Sequence, residues 1–159
     1  MTKRILGIDP GTGILGFGII DVEPNGKSVM IDAGVIRTSS TETDSNRLLT
    51  IYDELQSIIK LHKPTVMSVE KLFFAQNVTT AMTVSQARGV VLLLGEKNSM
   101  ELHEFTPLQI KQAVTGYGRA DKKQIQEMVR ILLGLNEVPK PDDCADALAA
   151  ALTCSITMR

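Results

Sequence analysis

The sequence has few soft or imidazole ligands to offer: two cysteines, Cys144 and Cys154, and two histidines, His62 and His103. The cysteines show no Cys-x-x-Cys spacing and no secretory leader accompanies them, which argues against a disulfide or zinc framework and for reduced thiols near the C-terminal helix. The histidines lack the pair spacing of a metal site. No Gly-x-Ser-x-Gly elbow or Walker loop occurs, and neither cysteine has a partnered base nearby in sequence, so acyl-transfer and P-loop chemistries fall away. Long hydrophobic runs are also missing. The densest, Val90 to Leu94, is far too short to cross a bilayer, and the expected location is the cytoplasm.

What is present fits one domain, residues 1–159. The chain has 159 residues, 43% of them apolar and 22% charged, enough to bury a core and close to the globular average. The formal net charge of −1 argues mildly against nucleic-acid binding, but the charge is uneven. From Lys111 to Arg130 the bases Lys111, Arg119, Lys122, Lys123 and Arg130 outnumber the acids Asp121 and Glu127. That stretch is either a solvated helix face or a surface for phosphates.

Patterning predicts three antiparallel strands joined by short turns, Lys3 to Asp9, Ile14 to Asp21 and Val29 to Thr38. A helix follows from Asp44 to His62, its apolar residues at helical spacing and its end marked by Lys63-Pro64. Thr65 to Glu70 reads as a strand, about Val78 to Lys97 as a long helix, and Met100 to Thr106 as a short strand. Helices are predicted over Pro107 to Thr115 and Asp121 to Leu133, with the glycine-bracketed loop Gly116-Tyr-Gly118 between them. The last helix begins after Pro139-Lys-Pro141, with Asp142 or Asp143 as its cap, and runs to about Thr157. In the long helix Ala81, Ser85 and Gly89 form a stripe of small residues that lets another backbone approach, inside the fold or across a dimer. The class is α/β, a single layer structure.

Two acids end apolar strands, Asp9 in Gly-Ile-Asp-Pro-Gly-Thr and Glu70 in Ser-Val-Glu-Lys-Leu-Phe-Phe. A carboxylate in that position is costly unless it is paired, hydrogen-bonded or bound to metal. A loop cap, or a salt bridge to Lys71, is the structural alternative. Near the last helix start, Asp143 and Asp146 stand three apart and share a face. Capping accounts for one of them and metal binding for both, because hard cations such as Mg²⁺ take oxygen ligands and two-metal sites clamp both oxygens of a phosphodiester displacement.

Taken together, Gly-Ile-Asp-Pro-Gly-Thr, Val-Glu-Lys-Leu-Phe-Phe-Ala-Gln-Asn, Ser-Gln-Ala-Arg-Gly and Asp-Asp-Cys-Ala-Asp-Ala-Leu-Ala occur in an order and spacing that closely resembles the bacterial RuvC family of Holliday junction resolvases. The resemblance spans essentially the whole chain. It implies a ribonuclease H-like fold with a mixed five-stranded sheet flanked by helices, a homodimer, and paired symmetric nicking of four-way junction DNA in recombination and repair. It also implies two Mg²⁺ ions per site, replaceable by Mn²⁺, and products with 5′-phosphate and 3′-hydroxyl ends. The family's metal-binding acids fall on Asp9, Glu70, Asp143 and Asp146. Asp142 is an extra acid beside them, and Asp143 is preferred because it keeps the three-residue step to Asp146. The catalytic lysines fall on Lys111 and Lys122, and the base-stacking aromatic on Phe73, with Phe74 expected to point inward. Arg88, Arg119 and Lys123 join the expected DNA contacts, and the branch-migration proteins RuvA and RuvB are the implied partners. Two rival readings are a junction-binding protein without activity and a fragment of an actin-like ATPase or sugar kinase, since Asp-x-Gly-Thr opens those folds too.

Overall fold

The computed structural model describes residues 1–71 and 78–158, without the side chain of Thr79. Among the described residues the element order is β1 (Lys3–Asp9), β2 (Ile14–Val22), β3 (Ser28–Arg37), α1 (Asp44–His62), β4 (Val66–Glu70), α2 (Val78–Lys97), β5 (Glu101–Phe105), α3 (Pro107–Thr115), α4 (Lys122–Leu132) and α5 (Asp142–Thr157). The strands form one sheet in the order β3-β2-β1-β4-β5. The first three strands are antiparallel, while β4 and β5 run parallel to β1, so the expected mixed five-stranded sheet is present.

Period-two alternation sends the two halves of each strand to different cores. Leu6 and Ile8 of β1, with Met67 and Val69 of β4, pack under α1 and α2 together with Ile51, Leu55 and Val91. Ile5 and Val66 face the opposite way, into the core built by α3, α4 and α5 with Ile110, Val129 and Leu148. Local chemistry stops the helices where the sequence suggests. Thr43 caps α1 by accepting from the Asn46 N–H, and Lys63 closes it in the left-handed region ahead of Pro64. Capping boxes pairing Thr106 with Gln109 and Asp121 with Gln124 start α3 and α4.

α5 departs from expectation at its first turn. Its N-cap is Pro141, with no side-chain cap hydrogen bond, so neither Asp142 nor Asp143 caps the helix; both already lie inside its first turn. From Cys144 to Ser155 every position except Asp146 is buried, which explains the run of alanines: a helix enclosed on all sides has no room for long side chains. Glycines on the sheet let it come this close. A Cβ on Gly16 would fall inside the Asp143 carbonyl, and one on Gly7 inside the carbonyl of Ala147. Ser68 of β4 ties the same helix down by donating to the Ala150 carbonyl at 2.6 Å.

Among the described residues the stripe on α2 is mostly uncovered, with Ala81 half-buried. Ser85 and Gly89 are exposed, and a side chain added at Gly89 would meet nothing within 4 Å. Val78, Met82 and Leu93, on the same side, are 77%, 60% and 59% exposed.

Candidate active site

Asp9 and Glu70 are the last residues of β1 and β4, which are adjacent and parallel, with Ile8 in register with Val69. The two acids therefore leave neighbouring strands at the same end of the sheet, on the face covered by α5. Asp9 also pairs across β2 with Gly16, the glycine over which the Asp143 backbone lies. Strand register and one glycine thus bring three acids together from positions far apart in the chain. Asp146, one turn on along α5, completes the group.

The electrostatics record the crowding. Burial, together with the negative charges of Glu70 and Asp146, a hydrogen bond with Glu70 and the charge of Asp143, pushes the Asp9 carboxyl up to about 9. Glu70 is also raised, first by burial and then by Asp146, while the Asp9 hydrogen bond, Lys122 and Lys111 oppose the rise. Asp146 is raised by burial against the pull of Lys122. Asp9 and Glu70, buried and hydrogen-bonded to each other, favour sharing a proton over carrying two negative charges.

Asp142 is differently engaged. It accepts from Gln126 Nε2 at 3.1 Å and from Lys122 Nζ at 3.2 Å, and its side chain is 59% exposed. The same lysine stands 4.0 Å from Asp146 and spans the outer and inner acids. Lys111, half-buried on α3, also opposes the rise at Glu70 through its charge. Arg119 and Lys123 are exposed in the turn before α4 and in its first turn. Arg88 lies elsewhere: its guanidinium is ion-paired with Glu104 on the α2 side of β5, the face of the sheet opposite α5. Phe73 and Phe74 lie outside the described residues.

Among the described residues, no cluster of three or more His, Cys, Asp or Glu side chains is arranged to hold a metal ion as it stands. The donor set still fits a hard divalent cation. Four carboxylates share one strand-end cluster, and three of them, Asp9, Glu70 and Asp146, have proton affinities raised first by burial and then by neighbouring acids, which a cation would relieve. The histidines take no part, since His62 bonds Asp32 and His103 bonds Glu101. Cys144 and Cys154 are free and buried in α5, their thiols pushed by burial to about 11 and about 12.

Sequence reasoning missed Gly16, whose place in β2 decides where Asp143 sits. Its signal was available: Gly16 and Gly18 alternate in an apolar strand, a pattern that marks close backbone approach.

A family model described as crossover junction endodeoxyribonuclease RuvC matches residues 5–154. A protein of that name from Heliobacterium modesticaldum is 54% identical over 151 residues, covering 95% of this chain and 93% of its own. The structure of Thermus thermophilus RuvC in complex with Holliday junction substrate superposes with a TM-score of 0.94 at 34% identity, covering 99% of this chain and 95% of that one. The yeast mitochondrial Holliday junction resolvase Ydc2 shares the fold, with a TM-score of 0.70 at 16% identity over 98% of this chain and 81% of that one.

Proposed function

The chain belongs to the RuvC family of crossover junction endodeoxyribonucleases, and from that premise we propose that it resolves four-way DNA junctions by paired symmetric nicks, with Asp9, Glu70, Asp143 and Asp146 as its metal-binding acids. What supports this reading is the meeting of four carboxylates at one end of the sheet, crowded enough to push the Asp9 carboxyl up to about 9. Cleavage in this family needs a divalent metal, here Mg²⁺, two per site, with Mn²⁺ as a substitute. Held by these acids, such a cation would lower the pKa of a water and stabilise charge at the leaving oxygen.

The chain's own residues do the rest. Asp9 and Glu70 are anchored on the ends of adjacent parallel strands, which fixes where their carboxylates would hold a cation. Asp143 and Asp146 are held by a buried helix whose contact with Gly16 leaves no slack. Lys122, already shared between Asp142 and Asp146, and Lys111 neutralise charge on the scissile phosphate. The exposed Arg119 and Lys123 extend this basic surface, and Phe73 stacks on an unpaired base at the crossover. Asp142 is a positioning residue for Lys122.

Residues 1–159 act as one nuclease domain, and two chains make the resolving unit, because a junction's two-fold symmetry calls for one site on each of two strands. The exposed apolar face of α2, with Val78, Met82 and Leu93 around the open Ser85 and Gly89, supports its role in that dimer. RuvA and RuvB are the proposed partners at the junction.

The test mixes the protein with a mobile synthetic four-way junction, with Mg²⁺ or with EDTA, beside Asp9→Asn. Symmetric, ligatable nicks only for the unaltered chain with Mg²⁺ are expected. Junction binding without nicks across several sequences would instead identify a binder without activity, and cutting by Asp9→Asn would remove Asp9 from the site.

A further inference from the structure

We propose that Arg47 is a phosphate-binding residue for the junction strand, standing on the opposite flank of the carboxylates from Lys111 and Lys122; the proposal rests on the junction-nuclease reading above. Four arginines among the described residues are half-buried: Arg4, Arg47, Arg88 and Arg130. Three of them meet a carboxylate, Arg4 with Asp21, Arg88 with Glu104 and Arg130 with Glu127. Arg47 has no such partner among the described residues. A guanidinium withdrawn from water without an anion is a cost that a ligand anion removes.

Its geometry is set from one side. Arg47 Nε donates to Thr38 Oγ1 at 2.9 Å, Thr38 Oγ1 donates to the Thr12 carbonyl at 2.5 Å, and buried Thr12 Oγ1 donates to the Thr83 carbonyl at 2.8 Å. With Nε engaged, the two terminal nitrogens are left in the fork geometry that binds phosphate oxygens bidentately. Nη2 lies beside Gly13, in the turn between Asp9 and β2, where a Cβ would stand 3.4 Å from it. Because that turn starts one residue after Asp9, a strand crossing the carboxylates meets Arg47 on the β2 and β3 side and the lysines of α3 and α4 on the other. The threonine chain also ties this grip to α2, and so to the proposed dimer face.

The test measures four-way junction binding in EDTA over a series of salt concentrations for the unaltered chain, Arg47→Gln, Arg47→Lys and Thr38→Val. Each phosphate neutralised on duplex DNA contributes roughly 0.9 to the slope of log affinity against log salt. Arg47→Gln is expected to lower that slope by about this amount and to weaken binding roughly tenfold at moderate salt. Arg47→Lys and Thr38→Val keep a positive charge at 47 but lose the fork or its anchor, so they retain the slope and lose part of the affinity. Arg47→Gln with unaltered slope and affinity but a lower melting temperature would reduce Arg47 to a bolt on the turn and overturn the proposal. Should Arg47→Gln not fold, an Arg47→Lys chain that binds as tightly as the unaltered one would overturn it equally. Failure of the unaltered chain to bind junctions would sink the nuclease reading itself, which is a different result from an Arg47 variant that changes nothing.

Discussion

The two ends of the sheet treat acids in opposite ways. At the start of β1, Arg4 holds Asp21 with both Nε and Nη2 at 2.7 Å, and its remaining nitrogen donates to the His62 carbonyl at 2.9 Å. His62 in turn bonds Asp32 at 2.9 Å. That end is matched one charge to one charge, and the Arg4 hydrogen bond holds the Asp21 carboxyl below its usual range. At the other end of the same strand, Asp9 faces three further acids and is pushed up to about 9. The first arrangement stabilises the fold; the second burdens it, and the proposed cation site is what would offset that burden.

The strongest way to break the comparison is Asp9→Asn. Losing a cation-binding acid removes several kcal/mol of transition-state stabilisation, so cleavage should fall by about 10³-fold or more. The metal-free fold should respond in the opposite direction. The folded chain binds the Asp9 proton more tightly than the unfolded chain does, so the associated stability is full below about pH 4 and is lost as pH climbs toward about 9. In EDTA the melting temperature of the unaltered chain should therefore drop between pH 5 and pH 8, and Asp9→Asn should flatten that slope. Asp21 has the reverse sign, contributing stability above its ordinary range that is lost in acid. Added Mg²⁺ should raise the melting temperature more at pH 8 than at pH 6, since the proton and the cation compete. An unchanged pH slope in Asp9→Asn would mean that the crowding lies elsewhere.

Gly16→Ala comes next, and it tests what assembles the acidic end. The added methyl meets the Asp143 backbone rather than a pliable side chain, so denaturant unfolding should show a cost of about 3 kcal/mol or more, the upper end for overpacking. Cleavage should fall even where the variant is folded, because Asp143 is displaced from Asp9.

Arg4→Met probes the matched end. Leaving the part-buried Asp21 unpartnered should cost about 1–2 kcal/mol of stability while cutting is retained. Smallest of all is Asp142→Asn. Its pair with Lys122 is more than half exposed on both sides, so stability should change by less than about 1 kcal/mol. Any effect should appear in cleavage, as Lys122 shifts toward Asp146 and the phosphate; cleavage equal to the unaltered chain would remove Asp142 as a positioning residue.

Much of this was legible without coordinates. The bounds of β1, α1, α2 and α3 follow from apolar period, caps and breakers within a few residues of each end, and so do Asp9 and Glu70 as strand-end acids. The cap assigned to Asp142 or Asp143 was not, because Pro141 occupies that position and both aspartates have other neighbours. Nor was the outward face of α2, since spacing alone does not say which side of a stripe is covered.

The sequence by itself determined the elements, their order and the identity of the acids, because helix and strand patterning and capping act over a few residues. Tertiary structure decided which acids meet and which are answered. The register of β1 with β4, the bare backbone of Gly16 beneath Asp143, the turn of Asp142 toward Lys122 and the Thr12–Thr38–Arg47 chain all join residues distant along the chain. Burial and mutual charge then act through space, so a carboxylate's proton affinity belongs to the folded neighbourhood and not to its position in the sequence.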